Sequence, residues 1–194
     1  MFRLRRLAQK QIHAQVVVAT GNRPASPWFL SIGDGRESGD LGAFSHDQSR
    51  SCLGYGKEIF AAARSAFKKW QMFDLGWARV ANPEASIACG QVVAVEVHSL
   101  GLWSVNLSQI LETVDSETQF GFLYSTTVHH LEQGEETFIL RFDSVSGEVG
   151  YELEAVSRPR DLLAQVGYPI TRHYQHRFAR DSHRRMRQAV TLNS

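Results

Sequence analysis

Between Gln91 and Ala155 the chain alternates apolar and polar residues with a period close to two. Val93, Val95 and Val97 share one face of the first segment. Trp103, Val105, Leu107 and Leu111 are the apolar set of the second, and Phe120, Phe122 and Tyr124 that of the third. Phe138, Leu140 and Phe142 continue the pattern, and Tyr151, Leu153 and Ala155 close it. Successive side chains of a strand point to opposite faces, so the pattern predicts half-buried strands with Ser104, Asn106, Ser108, Gln119, Arg141, Glu152 and Glu154 on the other side. Turn residues at Gly101, Asp115 to Glu117, Gln133-Gly134 and Ser146-Gly147 join these segments at short intervals, as in an antiparallel meander. Short strands are expected at 51–55 and 77–80.

Two stretches switch to helical spacing. In 57–70, Ile59, Phe60, Ala63, Phe67 and Trp70 recur at three- and four-residue steps, with Lys57, Arg64, Lys68 and Lys69 elsewhere, which predicts a helix with one buried stripe. After the break at Ser157-Arg158-Pro159, residues 160–166 suffice for two helical turns before Gly167. Pro169 then opens a longer helix, where its fixed φ and missing N–H are tolerated. Ile170, Tyr174, Phe178, Met186 and Val190 form its four-residue ladder, interrupted by Ser182. At the start, Phe2, Leu4, Leu7, Ala8 and Ile12 suggest a short surface helix followed by an extended segment. Residues 31–45 hold four glycines and read as a long loop, with no helix behind them to make a phosphate cradle.

The order is short strand, helix, about six meandering strands and a long C-terminal helix. It predicts an α+β fold in which a curved antiparallel sheet grips the last helix, a START/Bet v 1-like helix-grip arrangement. A closed antiparallel barrel with peripheral helices is the alternative. Residues 1–45 are expected to form an arm and loop, and 46–190 a single domain.

Composition narrows the partners. The 194 residues carry a formal charge of +1, which gives no global field for nucleic acid or acidic partners. No apolar run approaches a membrane span or a secretory core, so a cytoplasmic protein is expected. Cys52 and Cys89 lack metal spacing and read as small core residues.

Candidate chemistry concentrates where His129, His130, Glu132, Glu135 and Glu136 crowd together. Imidazoles and carboxylates can hold zinc or iron, but adjacent strand residues point apart and no H-E-x-x-H occurs, so no metal is expected. His129 and Glu135 are the candidate acid/base pair, with no nucleophile to complete a triad and no G-x-S-x-G elbow. Arg158, at a strand end, could clamp a ligand's carboxylate or phosphate, or pair with Glu132 or Glu135. His173 and His176 share a helix side without a third ligand. Arg172, Arg177, Arg180, Arg184, Arg185 and Arg187 make that helix cationic, without the aromatic platform that nucleic-acid binding requires. No cofactor motif is present.

Several stretches together resemble uncharacterised protein family 0548 of bacteria and plants. They are Leu53-Gly-Tyr-Gly56 with Phe60, Ala63 and Trp70-Gln-Met-Phe73, then Gly121-Phe-Leu-Tyr-Ser-Thr126 and Gly134-Glu-Glu-Thr-Phe138. Ala155-Val-Ser-Arg-Pro159 follows, with Gly167, Pro169, Arg172 and Gln175. Ser125 departs from the glycine of the family pattern. The resemblance implies a single domain and marks Tyr124, Thr126, His129, Glu135, Arg158, Arg172 and Gln175 as site candidates. Three functions stay open. One is a non-enzymatic carrier or sensor of a hydrophobic or amphipathic small molecule, with Tyr124 and Arg158 at the ligand's polar end. The second is a cyclase, isomerase or hydrolase using His129 and Glu135. The third is an interaction module with a packed core.

Overall fold

Alternating strands need a surface to cover their apolar faces, and the helical stripes supply it. The computed structural model describes residues 3–21, 30–32, 44–127, 132–159 and 168–191, without the side chains of 132, 159 and 168–171. In chain order the elements are α1 (Gln9–Thr20), β1 (Ser45–Tyr55), α2 (Lys57–Lys68), a 3-10 turn (Gln71–Phe73), β2 (Ala78–Val80), β3 (Val92–Ser99), β4 (Leu102–Asp115), β5 (Gln119–Thr126), β6 (Glu132–Phe142), β7 (Glu148–Pro159) and α3 (Tyr168–Thr191). The strands form one antiparallel sheet in the order β1-β7-β6-β5-β4-β3-β2. It is a helix-grip fold with an open sheet whose edges are β1 and β2, and this excludes the closed barrel. Register shifts between Cys52 and Gly54 and between Ile110 and Glu112 are bulges of the kind that bend a sheet.

The concave face carries the main core. Phe60, Ala63 and Phe67 of α2 meet Phe120, Phe122, Phe138, Leu140 and Tyr151 of the sheet, and Met186 and Val190 of α3 close over them. Helix α2 stops at Lys68 rather than at Trp70. Trp70 takes a left-handed backbone (φ 55°), which lets its buried indole donate to Ala85 O at 2.9 Å. The serine that interrupts the α3 ladder has a partner, since Ser182 Oγ and Tyr151 Oη lie 2.8 Å apart in the core.

The convex face is also covered, so its reading as solvated needs correction. Ile12 and Ala19 of α1 pack on Val92, Ala94 and Leu107, while Leu30 and Ile32 lie on Leu123, Ile139 and Val156. The first helix begins at Gln9 and runs where an extended segment was expected. Gln133 and Gly134 lie within β6, opposite Arg158 and Ser157, and do not turn the chain. Glycine serves close approach there, because a Cβ on Gly134 would sit 2.4 Å from Val156 O. Cys52 and Cys89 are exposed and unbridged. Among the described residues no helix is long and apolar enough to cross a membrane.

Beyond β2 the sheet is extended by a side chain. Asn82 is buried, its Nδ2 donating to Val92 O at 2.9 Å and its Oδ1 accepting from Ala94 N at 2.8 Å. Asn82→Ala leaves both backbone groups without these bonds and is expected to cost about 2 kcal/mol in urea unfolding. A loss under about 0.5 kcal/mol would show that water replaces the amide.

Candidate functional site

Strand register divides the concave face into two ends. In one row, Ser49 pairs with Leu153, Leu153 with Phe138 and Phe138 with Phe122. Here rings close the space: Phe122 stacks on Phe138 at 5.0 Å, Phe73 lies 5.2 Å from Phe138, and Trp70 meets Phe122 edge-on at 5.4 Å. The next row is Asp47, Ala155, Glu136 and Tyr124 on β1, β7, β6 and β5. From this row onward polar side chains join the interior, with Thr126, Ser157 and, on β4, Ser104 and Ser108 all buried, while β3 still contributes Val93 and Val95.

These groups form two networks. Tyr124 Oη donates to Glu136 Oε2 at 2.7 Å. Arg172, from the first turns of α3, donates to both oxygens of Asp47, with Nη2 2.7 Å from Oδ1, and its Nη1 donates to Gln175 Oε1 at 2.9 Å. Gln175 Nε2 in turn donates to Ser157 Oγ at 3.0 Å, so one amide links helix and sheet. Gly134 N donates to Thr126 Oγ1 at 3.0 Å. On β4, Asn106 Oδ1 is buried and accepts no hydrogen bond from the described residues.

The two acids titrate in opposite senses. Hydrogen bonding to Arg172, aided by its charge and by His176 and His46, holds the Asp47 carboxyl below the usual carboxylate range. Burial pushes Glu136 up; the Tyr124 bond offsets part of this and the Asp47 charge adds to it. Glu136 is half-buried, so its side chain keeps part of its surface accessible.

The structure brings together Tyr124, Thr126, Arg172 and Gln175. It places Glu135 and Arg158 elsewhere. Glu135 is fully buried on the convex side, its Oε2 accepting from Leu30 N at 2.8 Å, and so it anchors the covering segment. Arg158 is exposed on the same side, donating from Nε and Nη2 to Gln133 Oε1 at 3.2 and 2.9 Å, with its guanidinium 4.6 Å above the Phe44 ring. It lies on the face of the sheet opposite to Tyr124, and the side chain of Glu132, a partner considered from the sequence, lies outside the described ones. His129 lies outside the described residues. Sequence reasoning missed Asp47 and Ser157, and it passed over Glu136 in favour of Glu135. Glu136 had a signal, because it lies two residues before Phe138 and so shares its face.

Comparisons with known proteins give the family context. A family model described as a domain of unknown function, DUF1990, matches residues 36–185. A UPF0548 protein of Dictyostelium discoideum is 35% identical over 161 residues, covering 77% of this chain and 74% of the relative. One from Arabidopsis thaliana is 30% identical over 149 residues, covering 74% and 72%. One from Deinococcus radiodurans is 29% identical over 194 residues, covering 93% and 94%. Among solved structures, Ara h 8.0201 is 12% identical with a TM-score of 0.48, covering 77% of this chain and 99% of that one. A ginseng major latex-like protein from Panax ginseng is 11% identical with a TM-score of 0.46, covering 76% and 97%.

Proposed function

We propose, for a chain that belongs to the DUF1990 family of unknown function, the non-enzymatic binding of an amphipathic small molecule between the sheet and the first half of α3. The observation that carries this reading is the polar row of the concave face. Tyr124, Thr126, Glu136, Arg172 and Gln175 converge on the interior side of the sheet, directly beside the packed rings of Phe122 and Phe138. An interior that only had to be filled would continue the rings. A few convergent polar groups next to an apolar wall are what an amphipathic ligand needs, with its apolar body on the aromatic side and its polar end on the row. Arg158 has no part in this site, because its side chain lies on the other face of the sheet.

The test is native mass spectrometry of freshly purified protein against its denatured mass, followed by the Tyr124→Phe variant. A stoichiometric adduct is expected, and removing one hydrogen-bonding hydroxyl should weaken it about fivefold while the melting temperature moves little. A clean mass, with no binding from a panel of amphipathic molecules, would overturn the reading in favour of an interaction module with a packed core.

A further inference from the structure

We infer that the ligand's polar end is a protonated amine seated on Glu136, carried on an aromatic or otherwise apolar body. This rests on the ligand-binding reading above and goes further by assigning the chemistry of the head group.

The argument is one of charge. Among the described residues, the arginines nearest this end of the sheet are already engaged. Arg172 is clamped to both oxygens of Asp47 and to Gln175, and His176 Nε2 accepts from the same guanidinium at 3.3 Å. Arg177 lies 4.7 Å over the Trp77 ring and 3.4 Å from Asp181. Arg158 is on the opposite face. Glu136 is in the reverse position. Among the described residues its carboxyl accepts a hydrogen bond from Tyr124, a neutral donor, and no Lys, Arg or His lies within ion-pair distance. Asp47, two strands away in the same row, adds a like charge. Two strand spacings separate the two backbones, about 10 Å.

A carboxyl in that setting adds nothing to the fold that an apolar residue would not. Strands β5 and β6 are already paired through their backbones, and apolar replacements of buried ionic groups are often more stable. What Glu136 provides is a second acceptor, Oε1, on a half-buried side chain that shares a sheet face with Tyr124, Phe122 and Phe138. Phe122 and Phe138 lie 5.9 and 5.4 Å from Tyr124. An ammonium group satisfies both features, by a charge-assisted hydrogen bond to the carboxylate and by attraction to aromatic faces.

Proton balance follows. Without ligand, burial favours Glu136 in its protonated form; an ammonium ligand takes the place of that proton, which leaves to solvent. Among the described residues, the titratable groups coupled to Glu136 are Asp47 on β1, Tyr124 on β5 and Tyr151 on β7, while Arg172 and His176 on α3 act on Asp47. Asp47 and Arg172 keep their charges through mutual pairing, and burial holds Tyr151 neutral.

Three probes of matched shape provide the test: 2-naphthylethylamine, 2-naphthylethanol and 3-naphthylpropionate, titrated calorimetrically in buffers of low and high ionisation heat. The amine should bind at least about tenfold tighter than the alcohol, with the carboxylate weakest. Amine binding should release up to one proton and should tighten as pH rises, by at most about tenfold per unit, until Glu136 is ionised. Glu136→Gln should abolish the preference for the amine while retaining the alcohol. If that variant does not fold, proton release by the native protein decides. Equal or tighter binding of the alcohol without proton release would overturn the amine assignment and leave the ligand site standing. Failure of all three probes would overturn both.

Discussion

Replacing Phe67 by alanine will lower the stability of the domain by about 4 kcal/mol, a large share of what holds a domain of this size together. Phe67 is fully buried and stands edge-on to three rings, Phe120 at 6.0 Å, Phe122 at 6.4 Å and Tyr151 at 5.4 Å. It comes from α2, whereas the three rings come from β5 and β7, so the cavity would open at the junction of helix and sheet. The neighbouring rings are braced in turn by Trp70, Phe73 and Phe138, which leaves them little room to collapse inward. Urea unfolding monitored by tryptophan fluorescence measures the loss. Val145→Ala, at a position 96% exposed, is the control and should change stability by under about 0.5 kcal/mol. A Phe67→Ala loss under about 1.5 kcal/mol would mean that the aromatic end is loosely packed. The division of the concave face into a filled end and a binding end would then fall.

That division was half legible in the sequence. Alternation identified Phe120, Phe122, Phe138, Leu140 and Tyr151 as one face, and helical spacing found Phe67, because these signals are local and each strand is half buried. What alternation does not report is which strands are neighbours. Asp47 lies in β1, a strand of eleven residues of which only 51–55 was foreseen, since Ser45 to Arg50 is polar throughout. Its pairing with β7 crosses about a hundred residues of chain, and so its meeting with Arg172 leaves no trace in spacing. Glu135 and Glu136 illustrate a different loss. Both stood in the motif Gly134-Glu-Glu-Thr-Phe138, and choosing between them needed the parity of the strand. Placing a turn at Gln133-Gly134 removed the reference from which parity is counted. A one-residue slip moves every side chain to the other face, and here it separates an anchor for Leu30 from the candidate ligand acceptor. The covering of the convex face by α1 and by Leu30 and Ile32 was equally hidden, because a short apolar segment and a solvated one differ by only a few residues.

The second large effect is acid lability from His183. Its ring is 7% exposed and held on both nitrogens, Nε2 2.9 Å from Ser49 Oγ and Nδ1 2.8 Å from Ser51 Oγ, with Tyr151 against its face. Burial, aided by the charge of Arg187, lowers its pKa from the usual 6.5 to about 4. The folded value lies below the unfolded one. The unfolded chain therefore takes up a proton first as pH falls, and the stability contributed by neutral His183 is complete above about pH 6.5 and is lost progressively towards about pH 4. Over that window the loss amounts to about 3 kcal/mol, with about 2 kcal/mol of it already gone by about pH 5. Glu136 acts in the opposite sense, since its folded pKa is raised and the folded state holds its proton more tightly than the unfolded chain does. The slope of the native protein alone would therefore understate the histidine. Comparison with His183→Gln isolates it: the variant keeps a hydrogen-bonding side chain between the two serines but has nothing to titrate. Its urea stability should fall by about 2 kcal/mol less than that of the native protein between about pH 6.5 and about pH 5. Parallel curves would mean that the ring becomes protonated in place, with the two serine hydroxyls turning to accept from it. In that case the polar pair on β1 would accommodate a charge in the interior instead of excluding one.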